Sequence, residues 1–137
     1  MIAEIKLKRL RSAATTKFTV CSPMKGAGRC EVEEFLRGLQ QSDPPEFNRL
    51  MAFLDEISLY AFDRLGMPRL RRIREGLVEL RTSGGTRLVS FRLGNVIVIH
   101  GGFRKNTAAG KAQTEFINRA VAFKQSLSAG KFRICDA

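Results

Sequence analysis

Basic side chains stand at the ends of three strands that the sequence predicts between residues 77 and 105. Arg81 ends the first strand, Arg87 begins the second after a Gly-Gly turn, and Arg104-Lys105 follow the third. A guanidinium group binds phosphate through two parallel hydrogen bonds, and cations held in place stabilise negative charge that develops on phosphorus. These residues therefore indicate phosphate binding at one rim of the sheet. The alternative interpretation is that basic strand-end residues only keep the sheet edges soluble.

The only histidine, His100, ends the most apolar predicted strand, Val96–Ile99. A histidine in such a place is more often packed and hydrogen-bonded than catalytic, and both roles stay open. The three cysteines form no C-x-x-C pair of the kind that holds zinc. The glycines from Gly101 to Gly110-Lys111 lack the spacing of a nucleotide-binding loop. We therefore expect no metal and no cofactor.

The chain is strongly basic, with a net charge of +11 over 137 residues and a pI near 10.5. An excess of this size favours polyanionic partners, with nucleic acid ahead of membrane surfaces. Residues 31–63 carry a net charge of −6, whereas residues 1–30 and 64–100 carry +6 each and residues 101–137 carry +5. We therefore expect a positive front and a neutral or negative back. Every basic residue from 64 to 92 is an arginine, which favours phosphate recognition.

Length and an apolar fraction of 44% predict a single globular domain. The longest plain apolar run, Val96–Ile99, is far shorter than the roughly 18 residues that span a membrane. No apolar signal-peptide core follows the basic start, so we expect a cytoplasmic protein without membrane contact. We assign residues 1–17 to a basic N-terminal extension and residues 18–137 to the domain. For residues 5–8 a short strand and a flexible arm are both open.

Hydrophobic periodicity predicts an α+β fold in the order β-α-α-β-β-β-α. Apolar residues recur at helical spacing from Val32 to Leu39 and again from Phe47 to Ala61, so two closely joined helices are expected. The second helix is predicted to begin at Asp43-Pro44 and to end at Gly66 and Pro68. The remaining elements are strands at 18–21, 78–81, 88–93 and 96–99, a helix at 111–127 and an edge strand at 131–135.

Residues 76–106, GLVELRTSGGTRLVSFRLGNVIVIHGGFRKN, resemble the RelE/ParE superfamily of bacterial toxins, in particular its HigB-like, phage-associated branch. The shared elements are G-L-x-E-L-R, a glycine-containing turn, x-R-L, an apolar strand and an H-G-F-x-K pattern, written here as His100-Gly101-Gly102-Phe103-Arg104-Lys105. The resemblance covers about residues 76–127, is weaker over the helical hairpin and is absent from residues 1–17. It implies a small, twisted, mostly antiparallel sheet with a helical hairpin on one side and a C-terminal helix.

The resemblance also implies an activity and roles for individual residues. Members of the HigB and RelE kind are ribosome-dependent, metal-independent endoribonucleases that cleave mRNA. On this basis Arg81 and Arg87 are expected to hold the scissile phosphate. Arg104 or Lys105 is expected to neutralise the transition state or to assist the leaving group. Further candidates for RNA contact are Arg74, Arg92 and Lys111.

The general base is the least defined part of this prediction. RelE-type members place lysines in the strand that here reads Leu77-Val78-Glu79, and they use a tyrosine near the C-terminal helix, whereas the only tyrosine here is Tyr60. His100 is the first candidate for the base. Glu79 is the second, because a carboxylate beside phosphate is electrostatically unfavourable.

Two other functions are open on the same scaffold. ParE-like members of the superfamily bind DNA gyrase and carry out no nuclease chemistry, and an inactive RNA-binding, phage-related protein is a further alternative. The expected partners are a cognate antitoxin, which in the HigB branch is usually a helix-turn-helix protein, together with mRNA and the ribosome. An acidic or helical antitoxin segment would cover a positive rim readily. The basic residues 1–17 would add contacts to ribosomal RNA that weaken as salt rises.

Overall fold

A computed structural model of the chain describes residues 4–10, 17–66, 69–104 and 110–135, the last range with its side chains from residue 114 onward. Within these residues three helices pack on a seven-stranded mixed sheet, which confirms the α+β class. The helices are α1 (Glu31–Ser42), α2 (Pro44–Tyr60) and α3 (Gly110–Ala129). The strands are β1 (Ile5–Arg9), β2 (Thr19–Pro23), β3 (Leu70–Arg72), β4 (Val78–Arg81), β5 (Thr86–Leu93), β6 (Val96–Arg104) and β7 (Phe132–Cys135).

The strand order across the sheet is β3-β4-β5-β6-β2-β1-β7. From β3 to β6 the strands form an antiparallel meander. Strand β2 lies parallel to β6, β1 is antiparallel to β2, and β7 closes the edge parallel to β1. Of the two alternatives left open for residues 5–8, the strand is the one the structure contains, and the predicted edge strand near the C-terminus is β7.

The sheet separates two apolar layers, because side chains alternate between its faces along each strand. On one face α1 and α2 pack through residues such as Leu36 and Leu54 against Leu80 and Ile99; we call this the hairpin face. On the other face α3 packs through residues such as Ala120 and Leu127 against Phe91; we call this the α3 face. A functional side chain on the sheet therefore belongs to one layer or the other.

A single residue, Asp43, joins α1 to α2. Its backbone N–H donates to the carbonyl of Leu39 and closes α1, while its carboxylate accepts from the backbone N–H of Glu46 at 3.4 Å and caps α2. Helix α2 ends at Tyr60, so the prediction of an end at Gly66 and Pro68 is wrong. The cause is Ala61, whose φ of 52° takes the chain out of the helical conformation, and Pro68 lies outside the described residues.

Strand β6 continues to Arg104, whereas the sequence predicted an end at Ile99. The register explains how it continues: Ile99 pairs with Ser90 and Gly101 pairs with Val89, so His100 is an extra residue in a β-bulge. A Cβ on Gly101 would overlap the ring of Phe116, which shows how closely α3 approaches the strand at this point.

Candidate phosphate-binding site

Arg81 and Arg87 lie directly opposite each other on β4 and β5. Since Leu80 and Leu88 pack in the hairpin layer, alternation places both arginines on the α3 face. Glu79, on the same face, has a side chain that is only 2% exposed, and its Oε1 lies 3.2 Å from Nε of Arg81 and 3.8 Å from Nε of Arg87. The structure therefore brings two of the predicted phosphate ligands together around one buried carboxylate.

The electrostatics of this pair favour an added anion. Desolvation lowers the pKa of Arg87, the like charge of Arg81 lowers it further, and the charge of Glu79 opposes both effects. Nε of Arg81 is buried and within ion-pair range of Glu79, but it lacks the alignment of a hydrogen bond. The two guanidinium groups repel each other, and together with the single carboxylate of Glu79 they carry a formal net charge of +1. A phosphate would relieve that repulsion.

Arg104 lies at the same rim but on the opposite face. It pairs with Thr86 in the ladder, and its guanidinium group donates to Oδ2 of Asp43 at 2.9 Å and to the carbonyl of Gly84 at 2.7 Å. The hydrogen bond from Arg104 is also the main cause of the lowered pKa of Asp43. The predicted cluster is therefore divided, since Arg104 is engaged with the helical hairpin and not with the arginine pair.

The bulge at His100 is the reason for this division. Along an uninterrupted strand, Arg104 would lie on the same face as Val96, Val98 and His100, which is the α3 face. The extra residue places both His100 and Gly101 against Phe116 of α3 and reverses the alternation after them. Arg104 consequently faces the hairpin.

His100 packs between two aromatic rings of α3. Its ring centroid is 5.5 Å from that of Phe116 and 5.5 Å from that of Phe123, and its Nδ1 is buried without a hydrogen-bond partner in the structure. Burial lowers the pKa of His100, and the positive charge of Arg119 lowers it further. The ring of Phe116 also contacts Phe103, which pairs with Arg87 on β5, so aromatic rings connect the histidine to the arginine pair.

Of the remaining candidates for RNA contact, the structure describes the side chains of Arg92 and Arg74, and both have contacts elsewhere. Arg92 is five residues from Arg87 on β5, about 17 Å along the strand, on the opposite face. It donates to the carbonyl of Gly94 at 2.7 Å and lies over the ring of Phe18. Arg74 donates to Asn118 of α3. Lys105 and the side chain of Lys111 lie outside the described residues.

Sequence reasoning missed a buried carboxylate that fixes the turn between the two arginines. Glu46, in the first turn of α2, is fully buried and accepts from the hydroxyls of Thr82 and Thr86 and from Nη1 of Arg49. In the sequence Glu46 only suggests an acidic residue at a helix N-terminus, because nothing local reveals that the turn between β4 and β5 lies against it. The same contact requires glycine at position 84, since a Cβ there would lie 2.6 Å from the carboxyl carbon of Glu46.

Comparison of the chain with models of known protein families finds no match, and no curated protein matches it either. None of the helices in the described part of the chain is long and apolar enough to cross a membrane. Across residues 4–135, apart from the ranges that are not described, histidine, cysteine, aspartate and glutamate side chains form no group that could hold a metal ion.

Proposed function

We propose that the protein is the toxin component of a bacterial type II toxin-antitoxin pair and cleaves mRNA on the ribosome without a metal ion. The observation that carries this proposal is the Arg81–Arg87 pair, two partly buried guanidinium groups aligned across neighbouring strands around Glu79. Backbone hydrogen bonds of the sheet hold both residues, so the cations need little rearrangement when charge develops on a bound phosphate. An arginine that only kept the sheet edge soluble would not have to be partly buried and paired in this way.

The chemistry is an in-line attack of an RNA 2′-hydroxyl on the adjacent phosphorus. The phosphorus–O2′ bond forms, the phosphorus–O5′ bond breaks, the hydroxyl gives up its proton to a base, and the 5′-oxygen receives one. In this proposal Arg81 and Arg87 hold the non-bridging oxygens and neutralise the added negative charge of the pentacovalent phosphorane. Glu79 orients the two guanidinium groups. The negative charge of Glu79 is already compensated by the two arginines. Repulsion between this carboxylate and a phosphate is therefore no longer an objection to its position.

The arrangement of the elements supports a RelE-like layout. A helical hairpin covers one face of an antiparallel meander, and a C-terminal helix covers the other. Strands β1, β3 and β7 extend the sheet with residues outside 76–127, the range that the resemblance covers. The cognate partner in this proposal is an antitoxin whose acidic or helical segment covers the Arg81–Arg87 rim.

The proposal is tested by induced expression of the wild type beside Arg87→Ala, with transcript ends mapped across the cell within minutes. We expect new 5′ ends inside translated frames for the wild type. We also expect a loss of about 10²–10³-fold for Arg87→Ala, the usual effect of removing one group that stabilises transition-state charge. Arg37→Ala is the matched control, because Arg37 is an exposed arginine of α1 on the hairpin side of the sheet, whereas the pair lies on the α3 face. It should cleave like the wild type.

The other outcomes separate the alternatives. Intact transcripts together with growth arrest and DNA damage would favour a gyrase-binding, ParE-like toxin. Intact transcripts with normal growth would leave an inactive RNA-binding protein. Equal cleavage by Arg87→Ala and Arg37→Ala, with both proteins folded, would refute the assignment of the phosphate to the Arg81–Arg87 pair.

A further inference from the structure

A cavity of about 280 Å³ lies beside the bulge in β6, outside the proposed phosphate site. His100 lines the cavity together with Phe116 and Phe123 of α3, and its charged lining residues are Arg119, Lys25 and Glu31. The volume is close to the lower end of the range for small-molecule sites, which begins at roughly 300 Å³. The cavity therefore suits a group of the size of a single ring system.

The walls of this cavity favour a flat, aromatic ligand with a polar edge. The two phenyl rings stand at 77° and 53° to the plane of the His100 ring, so they leave apolar surface around an imidazole edge. Nδ1 of that imidazole is buried and makes no hydrogen bond within the protein. Because Nδ1 is closed off from solvent, a ligand in the cavity would meet the remaining, partly exposed edge of the imidazole.

The charged groups beside the cavity favour a ligand that also carries an anion. Arg119 is exposed, and its guanidinium carbon lies 5.8 Å from the centre of the Phe116 ring. Lys25 is also exposed and pairs with Glu31, so it remains within reach of solvent. A phosphate attached to the flat ligand would lie near Arg119 while the ring system enters between the aromatic side chains.

We propose that this cavity binds an unpaired nucleobase of the RNA whose backbone is held by Arg81 and Arg87. The inference rests on the proposed function. Phe103 pairs with Arg87 in the sheet, and its ring contacts Phe116, which in turn contacts His100. A single RNA strand could therefore contact both the arginine pair and the cavity. Proteins that read single-stranded RNA stack unpaired bases on aromatic side chains and bind their polar edges. In this arrangement His100 contacts the nucleobase of the RNA. It is not the general base of the cleavage reaction, which is the role that the sequence suggested.

The test uses the fact that the chain contains one histidine, which gives a single imidazole Hε1 signal in a proton NMR spectrum. AMP and ribose 5-phosphate are titrated separately into the purified protein. We expect AMP to shift the signal saturably at millimolar concentration and ribose 5-phosphate to leave it in place. Phe116→Leu keeps an apolar side chain but removes the ring, and it should weaken AMP binding about fivefold or more.

Three results would overturn the proposal. An equal shift with AMP and ribose 5-phosphate would mean that Arg119 and Lys25 bind an anion without its base. No shift with AMP but a shift with phenylalanine amide would mean that the cavity takes a protein side chain. A folded Phe116→Leu variant with unchanged AMP affinity would exclude the stacking contact.

The nucleotide titration and the expression experiment test the base subsite and the nuclease separately, so either proposal can be refuted without the other. Arg87→Ala changes the proposed phosphate site but no residue of the cavity, so this variant should bind AMP like the wild type. A shift with AMP in a protein that leaves transcripts intact would refute the nuclease and keep the base subsite. Cleavage of transcripts by a protein whose His100 signal ignores AMP would refute the subsite alone.

Discussion

Replacing Glu46 with alanine removes the carboxylate that anchors the turn between β4 and β5. The hydroxyl of Thr86 is fully buried and loses its only acceptor among the described contacts, whereas Thr82 is partly buried and regains water. Hydrogen bonds to a charged group contribute about 1.5–3 kcal/mol each, and a buried orphaned hydroxyl pays its full desolvation cost. The exposed partner Arg49 adds little, at most about 1 kcal/mol. We expect Glu46→Ala to lower the free energy of unfolding by about 3–4 kcal/mol.

Glu46→Gln is the matched control, since both threonine hydroxyls donate to the same oxygen, Oε2. A glutamine carbonyl in that position keeps both hydrogen bonds and places its amide against Arg49, so the cost should be about 1–2 kcal/mol. Urea unfolding measures both values, and with a slope of about 2 kcal/mol/M the alanine variant should unfold at a concentration lower by about 1.5–2 M. Equal midpoints for the two variants would refute the anchoring role of the carboxylate.

Two further predictions concern the packing around Gly84 and the charge of His100. Gly84→Ala should destabilise the protein, because its Cβ would overlap the Glu46 carboxyl group. Gly38→Ala in α1 is the control, since its Cβ meets open space and should stabilise the protein by about 1 kcal/mol. Thermal unfolding compares the two variants, and a Gly84→Ala protein as stable as the wild type would contradict the packing. Because the folded pKa of His100 is lowered by burial and Arg119, the unfolded chain binds more protons below about pH 6.5, so stability should fall as pH decreases through that value. Subtracting the same curve for His100→Gln removes the carboxylate contributions, and a flat difference would contradict the shift.

Local patterns in the sequence were sufficient for most elements of the fold. The helical spacing of α1 and α2, with Asp43 between them, depends on residues within a few turns of one another. Strands β4, β5 and β6 of the meander were equally visible, because the Gly-Gly and Gly-Asn turns are local signals. The end of α2 was not, since Ala61 adopts a positive φ that its residue type does not predict.

Only part of the candidate site could be predicted from the sequence, because the rest depends on contacts between residues distant in the chain. Arg81 and Arg87 flank one turn, so their cross-strand pairing follows from the hairpin itself. Glu46 meets that turn only because α2 packs over the sheet, and its two threonine contacts join residues 36 and 40 positions apart. The aromatic surroundings of His100 likewise come from α3, which no pattern near the histidine reveals.

By itself, the sequence determined the α+β class, the basic character of the chain and the presence of arginines at strand ends, because composition and short-range periodicity encode these properties. Only the tertiary structure decided which arginines share a face. Side chains on a strand alternate with a period of two, so one extra residue at His100 moves Arg104 from the α3 face to the hairpin face. The bulge arises from pairing with β5 and packing against α3, and both are interactions between residues distant in the chain.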